Sequence, residues 1–419
     1  MASKRKAVES PEGEQKRHIP PQPPEPCPFL IQVPTIIDVD VRGDRILVVG
    51  TNQCKIMADG THEHKEAKSF RICSRALARS SPVMRAMLFG KFTAATQDTI
   101  NFPEDDTAAM EMLLQLSHGN LTPVYDFTLK HDVSQPDPIF VDEVYEMVAL
   151  ANRYLMSHHL RTWARDWASI LLKGNRFFPS CPHAVRYKKM EKSLFIASVF
   201  GHLQLYAVVF SDLVWSQRRD QKLFATSIEP DGVADSLRKV RLHQIKGILD
   251  PIHEAIGSFL GENDSSLYAC NQDTQHLQSQ CKAYTLGALM RDLNKESLWP
   301  LPNPESVHEA TGYFCAKIKR SLWSDYTQIH PDCPIPQALV KQMRPFTPRL
   351  NDTQEYPWPP RSIVDSLLLR AEEFGLRPTY PEWFVTEGSE LKYNCSIRSV
   401  SQDNTISWSV TKLPREMRW

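Results

Sequence analysis

The sequence predicts an α+β fold, in which a small sheet capped by helices is followed by a mostly α-helical C-terminal region. Two short apolar runs of strand type lie early in the chain, at residues 45–50 and 100–102. From residue 173 onward, apolar residues recur mainly at the helical spacings of three and four. Strands that are confined to one region and followed by helices are typical of the α+β class.

Residues 45–155 contain local patterns that predict a strand followed by several helices. The run Ile46–Val49 is β-branched and ends at Gly50, as expected of a buried strand. Ser80-Ser81-Pro82 separates two short helices, because serine caps a helix and proline fits its first turn. Asp105 and Asp106 precede a third helix, where the helix dipole favours acidic groups. The last helix carries one apolar stripe, which consists of Val144, Met147, Val148, Ala151 and Leu155.

Taken in this order, the segments between Gly43 and Leu172 resemble a BTB/POZ domain, in the divergent form common in fungal proteins. The resemblance implies a domain over residues 39–172 that is not an enzyme, needs no cofactor and binds other proteins. Composition divides the rest into a disordered, proline-rich tail over 1–38, a helical domain over 173–344 and a proline-rich, partly ordered tail over 345–419.

The function implied by the resemblance is that of a protein-interaction scaffold or adaptor. One alternative is a substrate adaptor of a cullin-based ubiquitin ligase. Cullin-binding members of the family carry a hydrophobic-x-Glu motif, and the matching positions here are Met110, Glu111 and Met112. Methionine stands where glutamate is expected, which disfavours this alternative.

The other alternative is a BTB-type transcriptional regulator, which acts as a homodimer with a swapped N-terminal helix. Pro34 lies where that helix is expected. The family dimer also pairs a buried aspartate with a basic residue; Asp44 matches the aspartate, but Ser74 stands at the basic position, with Arg75 beside it. We therefore expect the usual homodimer not to form. The candidate interaction surface consists of Asp44, Ser74, Arg75, Met110 and Met112.

Charge and cysteine content narrow the class of protein. Lysine plus arginine equals aspartate plus glutamate at 49 each, so the net charge gives no indication of nucleic-acid binding. Nine scattered cysteines and a polar N-terminus predict an intracellular protein with reduced thiols, either cytoplasmic or nuclear. Two interpretations of Lys4–Lys6 with Lys16 and Arg17 stay open: a two-part nuclear import signal, or solvated charges.

The segment Leu194–Trp215 is apolar enough to be compared with a membrane span. His202, Gln204 and Asp212 lie inside it, and such groups are costly in lipid. We therefore predict a buried helix pair at this position and no membrane contact.

Residues of the metal-binding and catalytic types lack the spacing of the known sequence motifs. Cys270, Cys281, His330 and Cys333 are residues of the types that bind zinc, but Cys270 and Cys281 are 11 positions apart rather than in a tight Cys-x₂₋₄-Cys pair. This spacing predicts that no metal is bound. No phosphate-binding loop, dinucleotide fingerprint or nucleophile elbow occurs in the sequence.

Three further segments carry local patterns that predict their structure. Trp163 and Trp167 share one helical face and are predicted to pack inward rather than to bind nucleic acid. The insertion over residues 122–140 contains prolines and no clear period, which predicts a surface loop. A helix over residues 235–260 is predicted to break at Pro251.

Overall fold

A four-stranded sheet lies at the N-terminal end of the computed structural model, which describes residues 35–52, 54–56, 62–64, 66–131, 138–175, 182–261, 268–322, 333–343 and 359–376. The strands, in chain order, are β1 (Ile36–Asp38), β2 (Arg45–Val49), β3 (Cys54–Ile56), β4 (His62–His64), β5 (Lys68–Ile72) and β6 (Thr99–Phe102). The main sheet has the order β1-β5-β2-β6, and β3 pairs with β4 in a separate antiparallel hairpin. Within the main sheet β2 is antiparallel to β5, whereas β1 is parallel to β5 and β6 is parallel to β2.

The helices account for most of the remaining described residues, which confirms the α+β class. They are α1 (Ser74–Ser80), α2 (Pro82–Phe89), α3 (Thr107–Ser117), α4 (Thr122–Lys130), α5 (Pro138–Arg153), α6 (Arg161–Asn175), α7 (His183–Phe200), α8 (Leu203–Ser216), α9 (Val233–Leu260), α10 (Gln275–Lys295), α11 (Thr311–Leu322), α12 (Pro334–Met343) and α13 (Arg361–Glu373). Short 3₁₀ turns cover Thr93–Thr96, Ser157–Leu160 and Pro304–Ser306.

Helix caps form where the sequence places them. The Ser81 side chain accepts a hydrogen bond from the Met84 backbone N–H at 2.9 Å, and Pro82 opens α2. The Asp106 side chain accepts from the N–H groups of Ala108 and Ala109 and so caps α3. The predictions for both helix starts are therefore confirmed.

The prediction of a surface loop over residues 122–140 was wrong in part. Residues 122–130 form α4, which begins with proline near its N-terminus and buries Val124 and Phe127. These two residues lie three positions apart, too few to reveal a helical period in the sequence. Trp167 of α6 donates from Nε1 to Oγ1 of Thr128 at 2.9 Å, so α6 holds the helix in place.

The prediction of a break at Pro251 was also wrong, because α9 continues from Val233 to Leu260 with that proline inside it. Proline removes one N–H of the helical ladder, which favours a kink but does not require a break. Tyr268 donates from its hydroxyl to the Pro251 carbonyl oxygen at 3.2 Å. Burial of Ile248, Leu249 and Ile252 stabilises the helix on both sides of the proline.

A buried helix pair occupies the apolar segment, as predicted. Helices α7 and α8 contact each other closely, and Gly201 turns the chain between them with a φ of 69°. A Cβ at Gly201 would lie 2.2 Å from the Ala371 backbone nitrogen of α13, so glycine is required for α13 to pack there. Trp163 and Trp167 are buried as well, which confirms that they pack inward.

The described residues form two hydrophobic cores. The first contains the main sheet, continues through α5, α7 and α8 to Leu237 in α9, and takes in α13. The second begins at Ile245 of α9 and includes residues of α10, α11 and α12. Leu172, the end of the predicted BTB-like domain, packs against the first core, which continues beyond it. Helix α9 spans the junction between the two cores.

Most of the two predicted tails lies outside the described residues, as do the basic clusters at 4–6 and 16–17 and His330. In the C-terminal tail, the helical spacing of apolar residues predicts a helix over residues 363–374, and α13 (Arg361–Glu373) confirms it.

Candidate protein-interaction site

The Asp44 carboxylate caps helix α1 from a distant position in the sequence. Cys73, the residue before α1, makes no side-chain cap. Oδ1 of Asp44 accepts from the Ser74 backbone N–H at 2.7 Å, and Oδ2 accepts from the Ser74 hydroxyl at 2.6 Å. Partial burial raises the pKa of Asp44, but the two Ser74 hydrogen bonds outweigh it, so the pKa lies below its ordinary value. The contact therefore connects the start of β2 to α1.

The structure brings Asp44 and Ser74 together but does not place all five predicted surface residues on the surface. Asp44 and Arg75 are exposed, and Met112 is half-buried. Ser74 and Met110 are 2% and 1% exposed, so both are interior residues of this chain. The accessible part of the predicted surface thus consists of Asp44, Arg75 and Met112.

Replacement of Ser74 with alanine is expected to lower the free energy of unfolding by about 1 kcal/mol at neutral pH, because a solvated carboxylate loses one hydrogen bond. The folded-state pKa of Asp44 is depressed, so the contribution is present above the unfolded-state pKa and is lost as pH falls through the folded-state pKa. Chemical denaturation of Ser74→Ala and wild type at several pH values measures this contribution of the Asp44–Ser74 contact to the free energy of unfolding.

The control for this prediction is Arg75→Ala, which removes the neighbouring exposed side chain. If Arg75 rather than Ser74 neutralised Asp44, the Arg75→Ala variant would lose more stability than Ser74→Ala. We expect the opposite order, because both carboxylate oxygens accept hydrogen bonds from Ser74.

Asp105 forms a buried polar junction that the sequence alone did not reveal. Its carboxylate accepts from the Arg153 guanidinium and from the Tyr154 hydroxyl, which connects the loop before α3 to the end of α5. Burial raises the pKa of Asp105, although Tyr154 and Arg153 lower it. The Ser81 hydroxyl donates to the Tyr154 carbonyl at 2.6 Å and joins the α1–α2 turn to the same place. The only sequence signal was the Asp105-Asp106 pair. Asp106 caps α3, whereas the Asp105 side chain turns inward.

Helix α4 presents apolar side chains on its solvent side as well as on its buried side. Leu121, which directly precedes α4, and Tyr125 and Leu129 within α4 are spaced by four and are 54%, 57% and 65% exposed. Residues at this spacing lie on one face of a helix. We call these three residues the α4 stripe. Large apolar side chains that cluster on a surface indicate an interaction site.

A cleft of about 420 Å³ is the candidate small-molecule site among the described residues. It is lined by residues of α5, α7, α8 and α13 and of the segment before α9, and no histidine, cysteine or lysine is among the described lining residues. Ser198 donates to the Phe195 carbonyl within α7, and Glu229 accepts from the Ala234 N–H. Both groups therefore already take part in hydrogen bonds of their own chain.

Three of the four cysteine and histidine residues of the sequence's zinc candidate meet in the second core. The sulfur atoms of Cys270, Cys281 and Cys333 all lie within 4.8 Å of one another. Burial, together with hydrogen bonding of its protonated thiol to Cys333 and Cys270, raises the pKa of Cys281 to about 12. The spacing argument against a metal therefore does not apply, because chain folding brings together residues that are far apart in sequence.

No protein-family model matches this chain, and no curated protein sequence is similar to it. Among the helices of the described ranges, none has both the length and the apolar character needed to cross a membrane.

Proposed function

We propose that this protein is a non-enzymatic scaffold or adaptor that binds other proteins through a BTB/POZ-like unit over residues 39–172. The observation that carries the proposal is the α4 stripe. Its three side chains extend over about 12 Å, since eight residues of helix rise 1.5 Å each. A stripe of this length and composition fits the apolar face of a partner protein, which would cover it on binding.

The cullin alternative has less support than the adaptor function. Met112, at the position of the motif's glutamate, is half-buried and packs against the first core. Glu111, the nearest acidic residue, forms an ion pair with Lys68 at 2.9 Å. The acidic group of this segment is therefore engaged within the chain.

The transcriptional alternative requires the family's strand- and helix-swapped homodimer. Strand β1 pairs in parallel with β5 of its own chain, through Ile36–Ser69, Ile37–Phe70 and Asp38–Arg71. Strand β1 thus forms one edge of the main sheet within its own chain. This pairing supports an adaptor that acts without the swapped dimer. We propose, from the scattered cysteines, that the adaptor acts inside the cell, in the cytoplasm or the nucleus.

The experiment compares the full-length wild type with Leu129→Asp and Leu369→Asp. Leu369 is 68% exposed on α13, so its replacement is a matched control for a surface leucine. Proteins captured from lysate are identified by mass spectrometry, and sedimentation at micromolar concentration gives the mass of each purified variant. We expect wild type and Leu369→Asp to retain partners that Leu129→Asp loses, with all three chains folded and monomeric.

Two results would contradict the proposal. The first is equal partner retention by all three chains, which would show that the α4 stripe is not the binding surface. The second is a wild type that sediments as a dimer and dissociates on Leu129→Asp, which would assign the stripe to self-association.

A further inference from the structure

The cysteine cluster in the second core has the geometry of a metal site. Cys270 precedes α10, Cys281 lies in the second turn of α10, and Cys333 directly precedes α12. All three are buried, with exposed fractions of 5%, 2% and 6%. Three separate segments of the chain therefore direct thiols to one point.

The distances agree with tetrahedral coordination. A zinc–sulfur bond of about 2.3 Å places two sulfur ligands of one tetrahedron about 3.8 Å apart. The Sγ atoms of Cys281 and Cys333 are 3.6 Å apart, and the whole set is within 4.8 Å. A disulfide requires about 2.05 Å between sulfurs, so Cys281 and Cys333 are not bonded to each other.

We propose that Cys270, Cys281 and Cys333 bind a structural zinc ion. Soft thiolate ligands select zinc over the hard cations calcium and magnesium. Three cysteines supply three of the four tetrahedral ligands, and binding releases the three thiol protons to solvent. The ion would fasten the segment before α12 to α10.

The location of the cluster is consistent with a structural role. The second core is the smaller of the two, and the described part of α12 contributes only Ile335 and Leu339 to it besides the half-buried Ala338. A metal that binds only the folded chain adds its binding free energy to the stability of the fold. Buried cysteine can also act as a small apolar residue, and Cys315 of α11 represents that case in the same core.

The test measures zinc in the full-length chain by elemental analysis, after incubation with Zn²⁺ and gel filtration. We expect about one zinc per chain in wild type and in Cys315→Ser, and a loss of at least about tenfold in Cys281→Ser and Cys333→Ser. Cys315 is the matched control, because it is a buried cysteine of the same core that lies outside the cluster.

A second set of measurements does not depend on whether Cys281→Ser and Cys333→Ser fold. Co²⁺ added to the wild type should give the intense near-ultraviolet absorption of thiolate-to-cobalt charge transfer, and Zn²⁺ should displace it. Chelation of zinc should lower the Tm of wild type and of Cys315→Ser. A wild type that binds neither Zn²⁺ nor Co²⁺, or one whose zinc content survives Cys281→Ser, would overturn the proposal. A Cys281–Cys333 disulfide in freshly purified protein would also overturn it.

Discussion

Replacement of Leu77 with aspartate is expected to unfold the first core, not merely to loosen α1. Leu77 is fully buried in that core. Loss of a buried leucine side chain costs about 2–5 kcal/mol, and an unpaired carboxylate in its place costs several kcal/mol more. The sum is on the order of the whole stability of a typical domain, which is about 5–15 kcal/mol.

The loss should extend beyond residue 172, because the first core continues into α7 and α8. Tyr145 of α5 packs edge-on against Phe195 of α7, with 5.5 Å between ring centroids. The Asp142 carboxylate accepts from Lys189 and Lys192 of α7. Limited proteolysis should therefore cleave Leu77→Asp in α7 and α8 as well as in the N-terminal sheet.

Thermal unfolding followed by circular dichroism measures the effect, and Arg79→Asp provides the control. Arg79 is exposed in the last turn of the same helix, so aspartate there costs only about 0.3–1 kcal/mol through the helix dipole. A soluble Leu77→Asp chain with the melting curve of Arg79→Asp would show that α1 does not pack into the core as described.

Local patterns predicted those parts of the fold whose cause is local. The β2 strand, the Ser81 and Asp106 caps and the α7–α8 pair follow from nearby residues, and the structure contains them. Helix α4 escaped prediction because only Val124 and Phe127 form its buried face. The predicted break at Pro251 does not occur, because packing on both sides of the proline maintains α9.

The candidate sites depend on contacts between distant residues, which no spacing rule detects. Asp44 meets Ser74 30 positions later, and Cys281 meets Cys333 52 positions later. The spacing of Cys270 and Cys281 does not match a tight zinc knuckle. The structure instead brings together Cys270 before α10, Cys281 within α10 and Cys333 before α12. Met110 looked like a surface position in the sequence, but it belongs to the buried face of α3.

The second large effect concerns Arg241, a charged residue that is only 5% exposed in α9. Its Nε donates to the Gln217 carbonyl at 3.2 Å, and Nη2 donates to the carbonyls of Val307 and Glu309 at 2.9 and 2.8 Å. These contacts join the end of α8 to the turn before α11. Arg241 also lies between Leu237 of the first core and Ile245 of the second. It therefore fastens the two cores to each other.

Burial lowers the pKa of Arg241, and the nearby Arg219 lowers it further, yet a guanidinium keeps its charge throughout the physiological range. The Arg241→Met variant keeps the aliphatic length of the side chain but leaves three carbonyls without their donor. Each unsatisfied buried group costs about 1–3 kcal/mol, so for three carbonyls we expect a loss of about 3–9 kcal/mol. The stability of Arg241→Lys should lie between that of Arg241→Met and that of wild type, because one ammonium cannot reproduce the planar fork of donors on the guanidinium.

Guanidinium chloride unfolding of the full chain measures the loss of stability. The shape of the unfolding curve tests whether Arg241 connects the two cores. Separation of the cores should split one cooperative transition into two in Arg241→Met, because each core then unfolds by itself. Lys239→Met, at an exposed position of the same helix, should leave both the midpoint and the single transition unchanged. If Arg241→Met unfolded within about 0.5 kcal/mol of Lys239→Met, the three carbonyls would be satisfied without the guanidinium, and Arg241 would not couple the cores.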